Sequence, residues 1–226
     1  MKTIAKYLPA AALGALLLIG GTSKASAATI YSQDFTGGTG ALVGTTSTTG
    51  GGTWAGDNIL NLNGLLEGGW GAASLAFTPT SGFVYELTAN ISSQYWGSWI
   101  GVGFLPDNSL YGWLPNNPTA LRTAIWQIYP QGVNASVLTS NDVTIRLDTT
   151  LANWTTSMYQ GGTQIGSTYT YTGVNPTITR VGFVSDGSGG QVNAFELTQA
   201  VPEPSTYALV VGGLATLLLI RRRVQA

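Results

Sequence analysis

Apolar and polar residues alternate along most of the middle of this chain, and no other feature limits its fold as strongly. Val84 to Ile91 and Val143 to Asp148 are clear examples, because every second residue in each is apolar. A period of two places alternate side chains on opposite faces of a strand, whereas a helix requires about 3.6. No stretch between residues 28 and 200 has a convincing amphipathic helical pattern. The alternation therefore predicts an all-β domain whose antiparallel sheets each bury one face.

Short strand-like segments recur through the same region and are separated by turn residues. Gly161-Gly162 predicts a hairpin, and residues 185–190, rich in Gly and Ser, predict a second connection of the same kind. Thr36 to Thr53 is predicted to be a surface loop or a pair of weak edge strands, and the lack of a Lys after its glycines excludes a phosphate-binding loop. The other predicted strands are Ile30 to Phe35, Ile59 to Leu66, Ala72 to Phe77, Trp99 to Phe104, Ala124 to Tyr129, Trp154 to Tyr159, Thr163 to Ser167, Ile178 to Val184 and Gln191 to Thr198.

Five pieces of the chain follow one another in a recognisable order. They are Ile145 to Asp148, Trp154 to Tyr159, the Gly161-Gly162 turn, Val181 to Val184, and Ala194 to Leu197 as a closing strand. This order resembles the concanavalin A-like jelly-roll superfamily, which includes laminin-G-like domains and legume lectins. The resemblance implies an antiparallel jelly-roll sandwich for residues 28–200. It also implies calcium as the cofactor that the superfamily most often carries, held by Asp, Asn and backbone carbonyl oxygens.

Three short acidic stretches are conceivable calcium ligands, but none has an EF-hand or nonapeptide spacing. They are Asp57-Asn58, Asp107-Asn108 and Asp186 to Ser188. Turn formation by Asp and Asn explains each of them more simply. We therefore expect no cofactor and assign no metal-binding residue.

Residues 1–27 have the three parts of a secretory signal peptide. Lys2 and Lys6 supply positive charge, Leu8 to Gly21 is apolar, and the small residues of Ala25-Ser26-Ala27 permit cleavage before Ala28. A retained membrane anchor is the alternative, but the apolar run is short and contains a proline and two closing glycines. We expect signal peptidase to release a chain that starts at Ala28.

A second apolar segment lies near the carboxyl end. Tyr207 to Ile220 carries no charge and is followed by Arg221, Arg222 and Arg223. Fourteen helical residues span about 21 Å, short of the ~30 Å hydrocarbon core, so flanking residues from about 206 must extend the transmembrane helix. The arginines place the carboxyl end on the cytoplasmic side and hold the body outside. A permanent tail anchor is the alternative, and it also places the body outside the membrane.

The motif Val201-Pro202-Glu203-Pro204-Ser205-Thr206, followed by a short apolar helix and a terminal Arg cluster, resembles the PEP-CTERM sorting domain of Gram-negative bacteria. The resemblance covers residues 201–226 and implies processing by an exosortase, a membrane protease. Pro202, Glu203 and Pro204 would be the recognition triplet, and Arg221 to Arg223 the anchor at the inner face. The resemblance further implies a transient stay in the inner membrane and export to the cell surface or the extracellular polysaccharide matrix.

Composition removes several classes of function. The chain contains neither Cys nor His, which excludes Ser-His-Asp and Cys-His catalysis, His/Cys zinc sites and disulfides. Arg122, Arg146 and Arg180 are the only basic residues from 28 to 200, against nine acidic ones, which gives the body a net charge of −6. We expect no nucleic-acid partner, because phosphate contacts require Lys and Arg.

A glycosidase would need two carboxylates in one site, and the sequence offers no convincing pair. The Glu-x-Asp-x-x-Glu pattern of jelly-roll glucanases is absent. Asp142 and Asp148 share a strand face about 20 Å apart, too far to act on one bond, and are predicted to be solvent-facing partners of Arg146. Glu67 and Glu86 could meet on neighbouring strands. We predict that the protein is not an enzyme.

Two aromatic clusters beside turn residues are candidate carbohydrate platforms. One contains Tyr95 and Trp96, and the other contains Tyr111 and Trp113. Aromatic rings stack on sugar faces, and short polar side chains bind sugar hydroxyls. We predict a structural or carbohydrate-associated surface protein, for which a glycan-degrading enzyme of the same fold and a self-associating matrix scaffold without ligand are the alternatives.

Overall fold

In the computed structural model, the described residues are 27–65, 71–94, 100–106, 125–128, 140–185 and 190–200, and they form eleven β-strands and no helix. The all-β prediction is thus confirmed for these ranges, all of which belong to the unit Ala27–Pro202. The strands are β1 (Ala28–Gln33), β2 (Ala55–Gly56), β3 (Gly71–Ala76), β4 (Val84–Gln94), β5 (Ile100–Leu105), β6 (Ile125–Ile128), β7 (Asp142–Asp148), β8 (Thr155–Gln160), β9 (Thr163–Thr170), β10 (Arg180–Ser185) and β11 (Gly190–Ala200).

The strands form two antiparallel sheets that share one core. The six-stranded sheet has the order β1-β11-β4-β7-β8-β9, and the five-stranded sheet has the order β2-β3-β10-β5-β6. Consecutive strands β3, β4 and β5 alternate between the sheets, and the first strand pairs with the last. Apolar side chains from both sheets lie in a single buried cluster. This arrangement matches the predicted jelly-roll sandwich.

Trp54 joins the two sheets at the centre of the core. Its ring stacks on Phe183 of β10, with 6.1 Å between centroids, and meets Phe195 of β11 edge-on at 5.3 Å. The indole Nε1 donates a hydrogen bond of 3.4 Å to Oε1 of Gln33, which satisfies the buried polar atom. Aromatic contacts of this kind add to the free energy gained by burying the rings.

The segment before Trp54 forms no strand and is mostly exposed, as predicted for a surface loop, but it also contributes to the core. Thr36 to Thr53 was expected to be a surface loop or a pair of weak edge strands, yet Leu42 within it is fully buried in the core. The backbone N–H of Leu42 donates to the carbonyl of Leu60 at 2.9 Å, and isolated bridges connect the segment to its neighbours. The segment therefore covers the core without forming a strand.

Ile59 to Leu66 was predicted to be a strand, and this prediction is wrong for its described part, 59–65. Isolated bridges involve Asn61 and Leu65, and a turn lies between them. Gly64 has a φ of 77°, its N–H donates to the carbonyl of Asn61 at 2.8 Å, and Oδ1 of Asn63 accepts the N–H of Leu65 at 3.1 Å. Asn-Gly favours this turn, and the apolar residues around it concealed that signal.

The two predicted connections have different outcomes. Gly161 and Gly162 join β8 to β9 with φ values of 53° and 80°, which confirms a hairpin with two left-handed residues. The connection between Ser185 and Gly190 leads from the five-stranded sheet to the six-stranded one. It is therefore a crossing between sheets and not a second hairpin.

The strand register brings both exits of the described chain to one end of the sandwich. Ala28, which starts β1, lies opposite Gln199, and Ala200, which ends β11, lies opposite Val84. Val84 also pairs with Asp148, so the loops 77–83 and 149–154 lie at the same end. The backbone N–H of Tyr171 donates to the carbonyl of Trp154, and that of Phe77 donates to the carbonyl of Thr179. Residues 171–179 therefore lie at this end as well. We call this the terminal end, and the opposite end, with the Gly161-Gly162 hairpin, the far end.

No helix within the described ranges is long and apolar enough to cross a membrane. Tyr207 to Ile220, predicted to be the transmembrane helix, lies outside those ranges, as do Ala25, the Pro202-Glu203-Pro204 triplet and Arg221 to Arg223. The predicted signal cleavage site between Ala27 and Ala28 lies directly before β1.

Candidate functional site

The outward face of the six-stranded sheet is a continuous polar surface. Residues such as Leu87 on β4 and Ile145 on β7 point into the core, so their neighbours in sequence point outward. On adjacent strands these outward residues lie opposite one another. We call them the polar face, which comprises Glu86, Thr88, Asn90, Asp142, Thr144, Arg146, Asp148, Ser157, Tyr159, Glu196 and Thr198.

Hydrogen bonds between side chains connect the polar face from strand to strand. The Thr88 and Thr144 hydroxyls lie 3.0 Å apart on β4 and β7. Nδ2 of Asn193 donates to Oδ1 of Asn90 at 2.7 Å, and Nδ2 of Asn90 donates to Oδ1 of Asp142 at 2.6 Å. Cross-strand pairs of this kind fix side-chain orientation, so the face presents donors and acceptors in a defined order.

Arg146 lies in the middle of the polar face between two carboxylates. Its guanidinium is 3.6 Å from Oε1 of Glu86 and 3.9 Å from Oδ2 of Asp148. The predicted pairing with Asp148 is confirmed, whereas the pairing with Asp142 is wrong, because Asp142 bonds to Asn90 instead. All three side chains of the Arg146 cluster are partly exposed, so each ion pair contributes only about 0–1 kcal/mol.

Tyr159 places an aromatic ring within this polar surface. It lies on β8 opposite Thr144, is partly buried, and its hydroxyl accepts a hydrogen bond of 3.3 Å from Oγ of Ser157. A tyrosine ring beside hydroxyl and amide groups is the combination that binds sugar rings, since the ring covers C–H groups and the polar atoms bond to hydroxyls.

The outward face of the five-stranded sheet has a different character. Most of its residues are small and lie around Gly182, and Ala72, Ser74 and Val184 on this face are fully buried. Arg180 is its one described charged residue; Nε donates to Oγ of Ser74 at 2.6 Å and Nη2 to the carbonyl of Ser74 at 3.0 Å. Partial burial lowers the pKa of Arg180 by removing water from the guanidinium. We call this surface, with Gly101, Gly103 and Leu105, the small-residue face.

The four aromatic residues predicted to bind carbohydrate lie outside the described residues, and the strand ends that flank them lie at opposite ends of the sandwich. Tyr95 and Trp96 follow the end of β4 at the far end. Tyr111 and Trp113 follow β5, which ends at the terminal end, where the hydroxyl of Thr179 donates to the carbonyl of Pro106 at 2.6 Å. Glu67 also lies outside, so its meeting with Glu86 stays a prediction.

No group of three or more Asp or Glu side chains that could hold a metal ion occurs within the described ranges. Of the conceivable calcium ligands, Asp57 and Asn58 are described, and Oδ2 of Asp57 accepts the backbone N–H of Ala72 at 3.1 Å. That carboxylate thus holds β3 against the preceding turn, as expected of turn chemistry. Asp107, Asn108 and Asp186 to Ser188 lie outside the described residues.

Sequence reasoning found part of the polar face. Alternation along β4 correctly assigned Glu86, Thr88 and Asn90 to the outward side. It did not reveal the partners Thr144 and Asp142, which are more than fifty residues away and meet β4 only through sheet order. Tyr159 was included in a predicted strand, but nothing local showed that its ring would adjoin these groups.

No protein-family model matches the chain, and no curated protein matches it. Solved structures similar to it include an endo-1,3-beta-glucanase from Streptomyces sioyaensis, with 12% identity, coverage of 78% of this chain and 97% of that chain, and a TM-score of 0.44. The VIP36 exoplasmic/lumenal domain in a Ca2+/Man-bound form has 10% identity, coverage of 80% and 94%, and a TM-score of 0.38. Lectin I-B4 from Griffonia simplicifolia in its metal-free form has 17% identity, coverage of 70% and 91%, and a TM-score of 0.28. The assignment of this fold as a sandwich rests on the strand order and core of this protein and not on these similarities.

Proposed function

We propose that this protein is exported, is held transiently in the inner membrane, and then associates with extracellular polysaccharide without catalysing a reaction. The observation that carries the proposal is the polar face, where hydrogen-bonded rows of Thr, Asn and Ser adjoin the ring of Tyr159. An open sheet face of this kind suits an extended polymer, because neighbouring strands repeat the same polar groups along and across the sheet.

The charge of the polar face indicates the class of polysaccharide. Glu86, Asp142, Asp148 and Glu196 are acidic and only Arg146 is basic, so the face carries a net charge of −3. Like charges repel across an interface, which disfavours uronic-acid or sulfated polymers. The ligand of this proposal is therefore a neutral, hydroxyl-rich polysaccharide.

The carboxylates on the polar face support a binding role over hydrolysis. Glu86 and Asp148 both face the guanidinium of Arg146 on an open surface. A glycosidase requires one protonated and one free carboxylate on either side of the bond to be cleaved. Glu86 and Asp148 instead share one guanidinium on the sheet surface, which supports a structural role for this pair of carboxylates.

The export route of the proposal uses both ends of the chain. Signal peptidase cleaves between Ala27 and Ala28, and exosortase acts at or near Pro202-Glu203-Pro204 while Tyr207 to Ile220 and Arg221 to Arg223 hold the chain in the inner membrane. Both cleavage positions lie outside the strands, since β1 begins at Ala28 and β11 ends at Ala200. The mature protein then resides at the cell surface or in the matrix.

Binding is tested with Tyr159→Ala in an affinity-electrophoresis series on neutral exopolysaccharide from the producing cells. We expect the dissociation constant to rise roughly tenfold, because loss of an aromatic contact costs about 1.4 kcal/mol. Thr163→Ala, at the exposed far-end hairpin, is the control and leaves binding unchanged. Equal retention of Tyr159→Ala and the parent protein contradicts the assignment of the binding site to the polar face. Loss of binding by Trp113→Ala alone would instead assign the binding site to the aromatic segments.

Export is tested separately by intact-mass measurement of the extracellular protein. The expected mass corresponds to a chain that starts at Ala28 and lacks Arg221 to Arg223. Extracellular material that retains the Arg tail contradicts the processing step without affecting the binding test.

A further inference from the structure

We propose that the terminal end of the sandwich is a membrane-contacting surface, at which Leu151 and Val174 insert into the interfacial region of a lipid bilayer. The inference rests on the proposed function in one respect, namely that Tyr207 to Ile220 holds the chain in the inner membrane. Its other support is independent and comes from the exposure, charge and rigidity of the loops at this end.

Large apolar side chains are exposed at the terminal end. Among the described residues, the exposed large hydrophobic side chains are Leu65 at 44%, Leu151 at 69% and Val174 at 84% relative exposure. The two most exposed belong to different loops of the terminal end, whereas Leu65 bridges to Gln191 near the start of β11 at the far end. Single exposed apolar residues are common, but two on adjoining loops form a surface that can enter an apolar medium together.

Hydrogen bonds hold these two loops in a fixed arrangement. Oδ1 of Asn175, next to Val174, accepts the backbone N–H of Trp154 at 2.9 Å. Nδ2 of Asn175 donates to the carbonyl of Ala152, next to Leu151, at 2.8 Å. One side chain thus ties the loop of Leu151 to the loop of Val174. The two apolar side chains are preorganised, which lowers the entropy cost of contact.

The third loop at this end is attached in the same way. The hydroxyl of Thr149 lies 2.9 Å from the carbonyl of Thr80 and 2.9 Å from the carbonyl of Phe83. The backbone N–H of Gly82 donates to the carbonyl of Thr149 at 2.9 Å. The three loops therefore form one rigid surface.

The three loops described at the terminal end carry no charge. Residues 77–83, 149–154 and 171–179 contain no Asp, Glu, Lys or Arg. By contrast, five charged residues lie on the polar face. Charged groups oppose entry into a bilayer because they must lose water, whereas uncharged loops with aliphatic tips do not. Since these three loops contain no cation, their contact does not depend on attraction to anionic lipids, and a neutral bilayer is the expected partner.

The course of the chain keeps this end near the membrane. Six residues, 201–206, separate the end of β11 from Tyr207. The seven Cα–Cα steps from Ala200 to Tyr207 span at most about 25 Å when the chain is fully extended. A membrane segment that starts at Tyr207 therefore keeps Ala200 within that distance of the bilayer. At such an effective concentration, a contact made by two aliphatic side chains is populated even though it is weak alone.

The test uses the full chain reconstituted in vesicles of neutral phosphatidylcholine. Because the chain contains no Cys, Leu151→Cys, Val174→Cys and Thr163→Cys each provide a single labelling position. Each carries an environment-sensitive fluorophore, and a lipid with a spin label near its headgroup serves as the quencher. We expect the emission at positions 151 and 174 to fall on the order of twofold, since interfacial side chains lie about 5–10 Å deep. Position 163, at the far end, is not quenched.

Vesicle flotation separates the two hypotheses. If the chain floats but quenching is equal at positions 151, 163 and 174, the proposed lipid contact is wrong, whereas the proposed anchoring of the chain in the membrane stands. A chain that does not float overturns both. Quenching at 151 and 174 that persists at high salt supports an apolar contact with the bilayer, whereas quenching that salt abolishes overturns it.

Discussion

The two outward faces of the sandwich have the same strand geometry but opposite chemistry. On the polar face, outward positions carry long or branched polar side chains that bond across strands, such as Thr88 to Thr144. On the small-residue face, the corresponding positions carry Ala72, Ser74 and Gly182, which are buried. An outward position on a strand is therefore not equivalent to an exposed one. The difference shows that the sandwich has one surface built for solvent or a polar ligand and another built for close packing.

The largest expected effect comes from adding volume to the small-residue face. A Cβ at Gly182 would overlap the carbonyl oxygen of Ala73 and lie 2.7 Å from Cα of Ser74, so the backbone itself must move. We expect Gly182→Val to lower the free energy of unfolding by about 3 kcal/mol. Chemical denaturation measures the change.

Ala194→Val on the outward side of the six-stranded sheet is the matched control. Ala194 is exposed and pairs with Asn90, so added volume there meets water, and we expect a change of about 0.5 kcal/mol or less. If both variants lose similar stability, the two faces do not differ in packing as described.

The second effect compares one arginine on each face. Arg180 makes two hydrogen bonds to Ser74 in partly dehydrated surroundings, and we expect Arg180→Gln to cost about 1.5 kcal/mol. Arg146→Gln removes only exposed ion pairs and costs about 0.5 kcal/mol, an effect that high salt reduces. Equal losses of stability in the two variants, or a salt dependence for Arg180→Gln instead of Arg146→Gln, would contradict the difference between the two faces.

The lowered pKa of Arg180 sets the pH range of that comparison. Because its pKa is lower in the folded state, the unfolded state binds more protons wherever the two states differ, and stability rises with pH in that range. That range is strongly alkaline for a guanidinium, so the cost of Arg180→Gln should be constant between about pH 5 and 8. A denaturation series across this interval measures it.

The smallest stability effect is expected for the double variant Thr88→Val/Thr144→Val. It removes both partners of one hydrogen bond and replaces them with residues of the same shape that favour strands, so the free energy of unfolding should change by less than about 0.5 kcal/mol. Polysaccharide retention should nevertheless fall, because two hydroxyl groups leave the polar face. If both polysaccharide retention and stability are unchanged, the polar face is an ordinary solvent-facing surface and not a binding site.

Much of the fold could be predicted because alternation is a local property. The boundaries of β3, β5 and β7 match their predicted segments within one or two residues. The failure at Ile59 to Leu66 arose where an Asn-Gly turn lies among apolar residues. Leu42 entered the core from a segment with few apolar residues, where its backbone bonds to Leu60, a residue distant from it in sequence. For the candidate site, the strand pattern gave the outward residues but not their neighbours.

By itself, the sequence determined that the described part of the body is all-β, which side chains of each strand share a face, and that the body lacks the groups for imidazole or thiolate chemistry and for a His/Cys zinc site. These conclusions need only the two-residue period of a strand and the inventory of side chains. Tertiary structure decided which strands are neighbours, which of the two outward faces is buried, and that both chain exits share an end with Leu151 and Val174. Those facts depend on pairing between residues such as Ala28 and Gln199, whose contact no local pattern encodes.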